Sequence, residues 1–547
     1  MNSKTFICSL LVNESLSAGD KEAIVWFIDN TKVPAVLEVP FKENLCFYAG
    51  EMLKRGGDIS YCVDSVTDIL RIATALNDGD ISLSANTKFK SLPRKTRRLL
   101  TKAVEDVILN GSGNHNEDIN RYRGKWTALF HNLHVGEYSD VVYQVAKKVR
   151  NNEKIVTFNS QVQGALDAND FPKLIELLTT RPGEFARRLD LLLRKFEEKD
   201  SITCRMFKSI VGSVNTRTLL QLYGHFKTRF KDTEKRVALP KGNIQKALLL
   251  EGQKGLNNAT VLKVQATIKT ELARRWSDES DLGNVYVDPA LRDCPVPTQM
   301  RSASEGLFQV ARATRLPIAG DKNTLRFFVY WVGRDVDLSA TLHDENFKNV
   351  GHVSYTHLRS DKYESYHSGD IIDAPKGATE FIDITIDGAL EAGARYVAMN
   401  VLSFSQIPFN EIKTCFVGWM TRAKPNSNEI FEAKTVEQKI DLVGETRNVV
   451  PVIFDLQERK AIWADMSTVM RSNYYGNNVE SNRASIEQTT EALLSVENKV
   501  TLFELFSFHG QARGKLVETR EEADTVFAWD GDVTPFDVSV INSDYIK

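Results

Sequence analysis

In this 547-residue chain, the side chains best suited to chemistry are carboxylates gathered in one stretch of the second half. Asp335-Val-Asp337-Leu-Ser339 reads as the start of a strand. Strand side chains alternate, so Asp337 and Ser339 share a face, and Asp335 joins them if the strand extends back that far. His367-Ser-Gly-Asp370 reads as a later loop, followed by Asp373, and Glu380 begins the next strand. Carboxylates converging from loops at a sandwich end suit Ca²⁺, which takes about six to eight oxygen ligands at roughly 2.3–2.6 Å. Taken alone, loop carboxylates are more often solvated turn formers. His343, His352, His357 and His367 fall in the same stretch, but without the H-x-H or H-x₃-H spacing of a Zn²⁺ site.

A second cluster is basic. Pro93-Arg-Lys-Thr-Arg-Arg98, Arg121-Tyr-Arg-Gly-Lys-Trp126, Lys147-Lys-Val-Arg150 and His225-Phe-Lys-Thr-Arg-Phe-Lys231 mix cations with aromatics. Arg97, Arg98, Arg123 and Lys125 are the candidates for contacting a nucleic-acid backbone, with Tyr122, Trp126 or Phe226 stacking on bases. The plainer alternative is a set of solvated helix faces whose aromatics point into the core. No enzyme motif occurs: no Walker loop, no G-x-G-x-x-G after a strand, no G-x-S-x-G and no H-E-x-x-H. A non-enzymatic protein is therefore expected.

The elements that must position these residues differ between the two halves. Residues 1–290 carry 43 Lys and Arg against 35 Asp and Glu, whereas residues 291–547 carry 27 against 37. A net charge of −2 thus hides a basic half and an acidic half, which points to separate partners. The first half reads as helix after helix. Ser65-Val-Thr-Asp68 has the form of a capping box ahead of Ile69, Leu70, Ile72 and Leu76. Ser91-Leu-Pro93 precedes Leu99, Leu100, Ala103 and Val107, and after Pro182 an apolar stripe runs through Phe185, Leu189, Leu192, Leu193 and Phe196. Further helices are expected over 19–30, 41–55, 116–134, 139–151, 160–180, 214–230 and 258–275. Helical pairs stacked as a solenoid fit this run, although no fixed-period repeat is present.

Polar residues 277–281 and then Pro289, Pro295 and Pro297 mark a linker. Beyond it, 325–332, 337–342, 350–355, 380–386, 396–402, 414–419 and 450–455 read as strands, with a hairpin turn at 344–349 and helices near 483–495 and 501–507. The expected architecture is α+β and multidomain. An all-α, helical-repeat-like domain occupies 1–280, a linker 281–300, and a β-sandwich 301–547.

With those elements in place, Gly333 to Glu345, His367-Ser-Gly-Asp370 and Glu380 to Ile384 resemble the TerD family of tellurite-resistance and stress-response proteins. The resemblance implies a β-sandwich that binds Ca²⁺ through an Asp-x-Asp-x-Ser strand and an acidic loop after Ser/Thr-Gly-Asp. Here it points to Asp335, Asp337, Asp370 and Glu380 as ligands, with Asp373 in reserve. Arg181 to Asp190, His357 to Ser360, Cys415 to Met420, Asn477 to Asn482 and Gly531 to Asp537 resemble larger bacterial cytoplasmic TerD-domain proteins with long helical N-terminal regions. One departure matters: residues 371–379 hold one acid and one lysine where the family loop is rich in Gly and Asp, so a weakened Ca²⁺ site is implied. The implied role is a scaffold or binding protein in stress response or defence, with protein partners. A nucleic-acid-binding protein acting through the basic half is the rival expectation.

Composition bounds the rest. Hydrophobic residues at 42% and charged residues at 26% exclude collagen-like and largely disordered chains. No apolar run approaches the roughly 18–20 residues of a membrane span. Six scattered cysteines, none in C-x-x-C, suggest reduced thiols and a cytoplasmic location.

Overall fold

A computed structural model describes residues 3–11, 16, 18–32, 41–83, 85–110, 115–238, 248–298, 304–306, 310–425, 435–442, 446–468 and 499–546. The fold is α+β: helices dominate to about residue 226, and two antiparallel sheets follow. The chain divides into two compact units, Met1–Phe185 and Ala186–Lys547. No helix among the described residues is long and apolar enough to cross a membrane.

The first unit follows its hydrophobic periodicity. Ser65 caps the helix Val66–Ala75, accepting from the Asp68 N–H while the Asp68 carboxylate accepts from the Ser65 N–H. Ile69, Leu70 and Ile72 on this helix are fully buried. The core is one cluster running from Ile7 to Val149, with Leu100, Val104 and Trp126 inside it. The expected helix over 160–180 is two, Phe158–Asp167 and Phe171–Thr179. Pro172 has no N–H to donate, so it belongs in a first helical turn, and Asp170 caps that turn by accepting from the Lys173 N–H. The 116–134 segment likewise divides into His115–Arg121 and Arg123–Leu133. Ser65→Ala removes a reciprocal cap and is expected to cost about 1 kcal/mol. Denaturant unfolding should register this as a lower midpoint with an unchanged slope.

The second unit combines helices with four sheets. Asp200–Ile210, Thr216–Phe226 and Asn258–Trp276 are its early helices, and Thr233–Ala238 pairs with Leu248–Gln253 as a hairpin. Within the expected linker, residues 281–298 carry structure of their own. The strand Gly283–Val287 lies between Gly514–Leu516 and Thr525–Phe527, parallel to both. The helix expected near 501–507 runs from Leu502 to Arg513. The helix expected over 483–495 and the Asn477 to Asn482 motif lie outside the described residues.

Two larger sheets carry the site. One has seven strands, centred on Thr324–Arg334 between Thr414–Arg422 and Asp373–Thr385. The other has six, with Asp337–His343 between Tyr396–Leu402 and Asn349–Val353. They bury a common core. Leu325, Phe327, Val329 and Trp331 of the first sheet join Leu338, Ala340, Leu342, Val397, Met399 and Val401 of the second. Phe327 stacks against Phe454 at 5.4 Å between ring centroids. The expected hairpin forms as Asp337–His343 and Asn349–Val353, and Asp344 holds its turn by accepting from the Asn346 and Lys348 N–H groups.

Candidate metal centre

Val336 and Leu338 fix the direction of the acidic strand. Both are buried in the shared core, and alternation therefore turns Asp335 and Asp337 the other way. Asp337 stands opposite Leu402, the last residue of the neighbouring strand, so the acids lie at the strand end where the loop after Leu402 begins. That loop returns to the site: the Ser405 hydroxyl donates to the Asp335 carbonyl at 3.3 Å.

Asp370 arrives from the other sheet through a tight turn. Gly369 sits at φ +118°, a conformation costly for any residue with a Cβ. Its N–H donates to His367 Nδ1 at 3.1 Å, which leaves the His367 proton on Nε2, 2.9 Å from the Leu338 carbonyl. This neutral tautomer agrees with burial, which pushes the His367 pKa down. The imidazole thus ties the Asp370 turn to the Asp337 strand and is not a free ligand.

One carboxylate oxygen each from Asp335, Asp337 and Asp370 lie within 4.8 Å of one another. Glu380 is placed differently. Fully buried, it accepts from the Ile371 N–H at 2.8 Å and from the Leu338 N–H at 3.0 Å. Both its oxygens are engaged, so it braces the loop against the strand behind the three aspartates. Asp373 is exposed, pairs in register with Arg334 in the strand Asp373–Thr385, and is not among the grouped carboxylates.

The electrostatics of the cluster are unfavourable without a cation. Asp337 is 2% exposed, and burial, then the charges of Asp335, Glu380 and Asp370, push its carboxyl up to about 8. Burial and Asp370 push Asp335 up to about 6. Burial pushes Glu380 up to about 8 despite its two backbone hydrogen bonds, which act the other way. Asp335 Oδ1 and Asp337 Oδ2 are buried with no hydrogen-bond partner. An unsatisfied buried polar atom costs about 1–3 kcal/mol, more when charged, and a bound cation removes that cost.

No protein-family model matches this chain, and no curated protein matches it.

The donor set bears on which ion fits. Three carboxylates gathered this closely suit a hard divalent cation. The three aspartates fill only part of such a shell, so further oxygen ligands must complete it.

The other candidates fall elsewhere. Arg123 donates to Asn152 at 2.8 Å, to Asn120 at 3.0 Å and to the Glu153 carbonyl at 2.9 Å. Lys125 donates to the Ala85 carbonyl. Arg97 lies over the Tyr138 ring and 3.9 Å from Glu137, while Arg98 is exposed. Trp126 and Phe226 are fully buried, so neither presents a face for stacking, and Tyr122 is half-buried beneath Arg121. His343 is buried against Thr341 and the Phe347 carbonyl. His352 and His357 face each other at 5.2 Å. Among the described residues, the three aspartates are the one group of three or more side chains placed to hold a metal.

Proposed function

We propose that the paired sheets form a TerD-like β-sandwich whose Asp335–Asp337–Asp370 site takes Ca²⁺. In this reading the protein is a non-enzymatic binding or scaffold protein in a stress-response or defence setting. The helical region supplies a solenoid-like surface for protein partners. The observation that carries the reading is the buried, unpartnered Asp337 Oδ2 beside two more carboxylates. A chain with no use for a cation gains nothing by burying this carboxyl among others, since an asparagine would fill the same volume without the electrostatic cost of ionising it. Nucleic-acid binding has less support, because Arg123 and Lys125 hold loops of their own unit and Trp126 is core.

The test is the melting temperature of the chain in EDTA, in millimolar Ca²⁺ and in millimolar Mg²⁺. A ligand at 100 times its Kd stabilises the folded state by about 2.7 kcal/mol, which moves melting by several degrees in a unit of this size. A rise in Ca²⁺ that exceeds the rise in Mg²⁺, and that Asp337→Ala abolishes, is expected. Melting that ignores millimolar Ca²⁺, together with no binding heat in calorimetry, overturns the reading.

A further inference from the structure

Beside the acidic cluster the chain exposes apolar side chains on three separate loops. Phe404 is 47% exposed on the loop after Leu402, one residue before Ser405, which contacts Asp335. Ile371 and Ile372, 36% and 69% exposed, directly follow Asp370. Leu358, 41% exposed, is on the loop after Val353, and its carbonyl accepts from the His367 N–H at 2.8 Å. Strand register brings these loops to one end of the sheets. Leu402 stands opposite Asp337, and Val353 stands opposite Ala340 on the strand that Asp337 begins. Exposed cations flank them: Arg334 precedes Asp335, and Lys376 lies on the strand paired with it.

We propose that this end of the protein docks, through a cation held by Asp335, Asp337 and Asp370, onto an anionic phospholipid surface. The proposal rests on the Ca²⁺ reading of the same aspartates. Three carboxylates alone repel a negative surface. A divalent cation among them reverses that and leaves coordination positions for lipid phosphate oxygens, because Ca²⁺ takes about six to eight oxygens and the aspartates supply only part of them. Arg334 and Lys376 add attraction for anionic headgroups, each cation near such a surface favouring binding. Ile372 and Phe404, the most exposed of the apolar set, enter the interfacial layer. Single apolar tips spread over three loops suit a bilayer, which accepts each side chain separately, better than a protein partner, whose fit needs a contiguous patch.

The experiment is co-sedimentation of the full chain with phosphatidylcholine vesicles, with and without phosphatidylglycerol, in Ca²⁺ and in EDTA. Calorimetric Ca²⁺ titration without lipid runs in parallel. The chain is expected to pellet only with phosphatidylglycerol and Ca²⁺. Ile372→Ser and Phe404→Ser should each weaken vesicle binding roughly tenfold or more, given the apolar area each removes, with lipid-free Ca²⁺ affinity unchanged. Lys376→Glu should weaken it less and only at low salt. Ca²⁺ binding with no pelleting overturns the membrane proposal and leaves the metal reading standing. So does equal pelleting in EDTA, or Ca²⁺-driven self-association without lipid, which would assign the loops to a second copy. Absence of Ca²⁺ binding overturns both.

Discussion

Calcium affinity is expected to rise by roughly 100-fold between pH 6 and 8, because metal binding must displace protons from raised carboxyls. Asp337, pushed up to about 8, is mostly protonated across that window and yields about tenfold per pH unit. Asp335, pushed up to about 6, adds a smaller factor near the acid end. The same shifts fix the sign of the metal-free stability. A carboxyl whose folded pKa is raised holds its proton after the unfolded chain, near pH 4, has lost it. That contribution is complete below about pH 4 and is lost as pH rises through the folded value, so stability in EDTA should fall between about pH 4 and 8. Asp337→Asn should flatten this decline, raise the melting temperature in EDTA at pH 8 and abolish the response to Ca²⁺. Titration calorimetry at pH 6, 7 and 8 reads the first effect and melting in EDTA the second. Affinity that is flat with pH would show that the aspartates bind no cation through ionised oxygens.

What could be read from residue order was local. Ser65 and Asp68 announce a helix start because both partners of the cap lie within four residues. The stripe from Phe185 to Phe196 is buried throughout, as its spacing requires. Asp335 and Asp337 were legible for the same reason: alternation in a strand decides their face. Asp370 was legible as a loop carboxylate that could converge on them, but its approach depends on the pairing of two different sheets, and the family resemblance strengthened the assignment. Glu380 was legible as a candidate oxygen ligand but not as a brace between loop and strand. Nothing in its neighbours shows that Leu338 and Ile371 will turn their N–H groups onto it. The strand Gly283–Val287 was hidden among prolines and acids, because its partners, Gly514–Leu516 and Thr525–Phe527, lie more than two hundred residues away. A parallel pairing at that distance leaves no signature in the sequence between. Trp126 and Phe226 show the same limit, since an aromatic beside cations looks alike whether its ring faces a base or the core.

Arg326→Met is expected to destabilise the second unit by about 3–5 kcal/mol, the usual cost of leaving one member of a buried ion pair alone. Arg326 and Asp383 stand opposite each other on the paired strands Thr324–Arg334 and Asp373–Thr385, on the face turned away from the shared core. They are 2% and 0% exposed. The guanidinium donates through two nitrogens, at 2.6 and 2.7 Å, and lies over the Phe381 ring at 4.3 Å. Removing the arginine takes two charged donors from a carboxylate that water cannot reach, whereas removing both charges does not. Arg326→Met with Asp383→Leu should therefore recover most of the loss, and a double-mutant cycle by denaturant unfolding measures the difference. The pair also bears on the metal site. Asp383 is three residues from Glu380 on one strand, so the register that aligns Asp383 with Arg326 also aligns Glu380 with Val329 and sets it beneath Leu338. A slip by one residue would turn Glu380 to the opposite face and release the Asp370 loop. If the pair serves to hold that register, the double variant should fold with near-normal stability yet bind Ca²⁺ more weakly. If it binds Ca²⁺ as tightly as the parent, the hydrophobic alternation of the strand fixes the register unaided, and the ion pair contributes no positioning of the site.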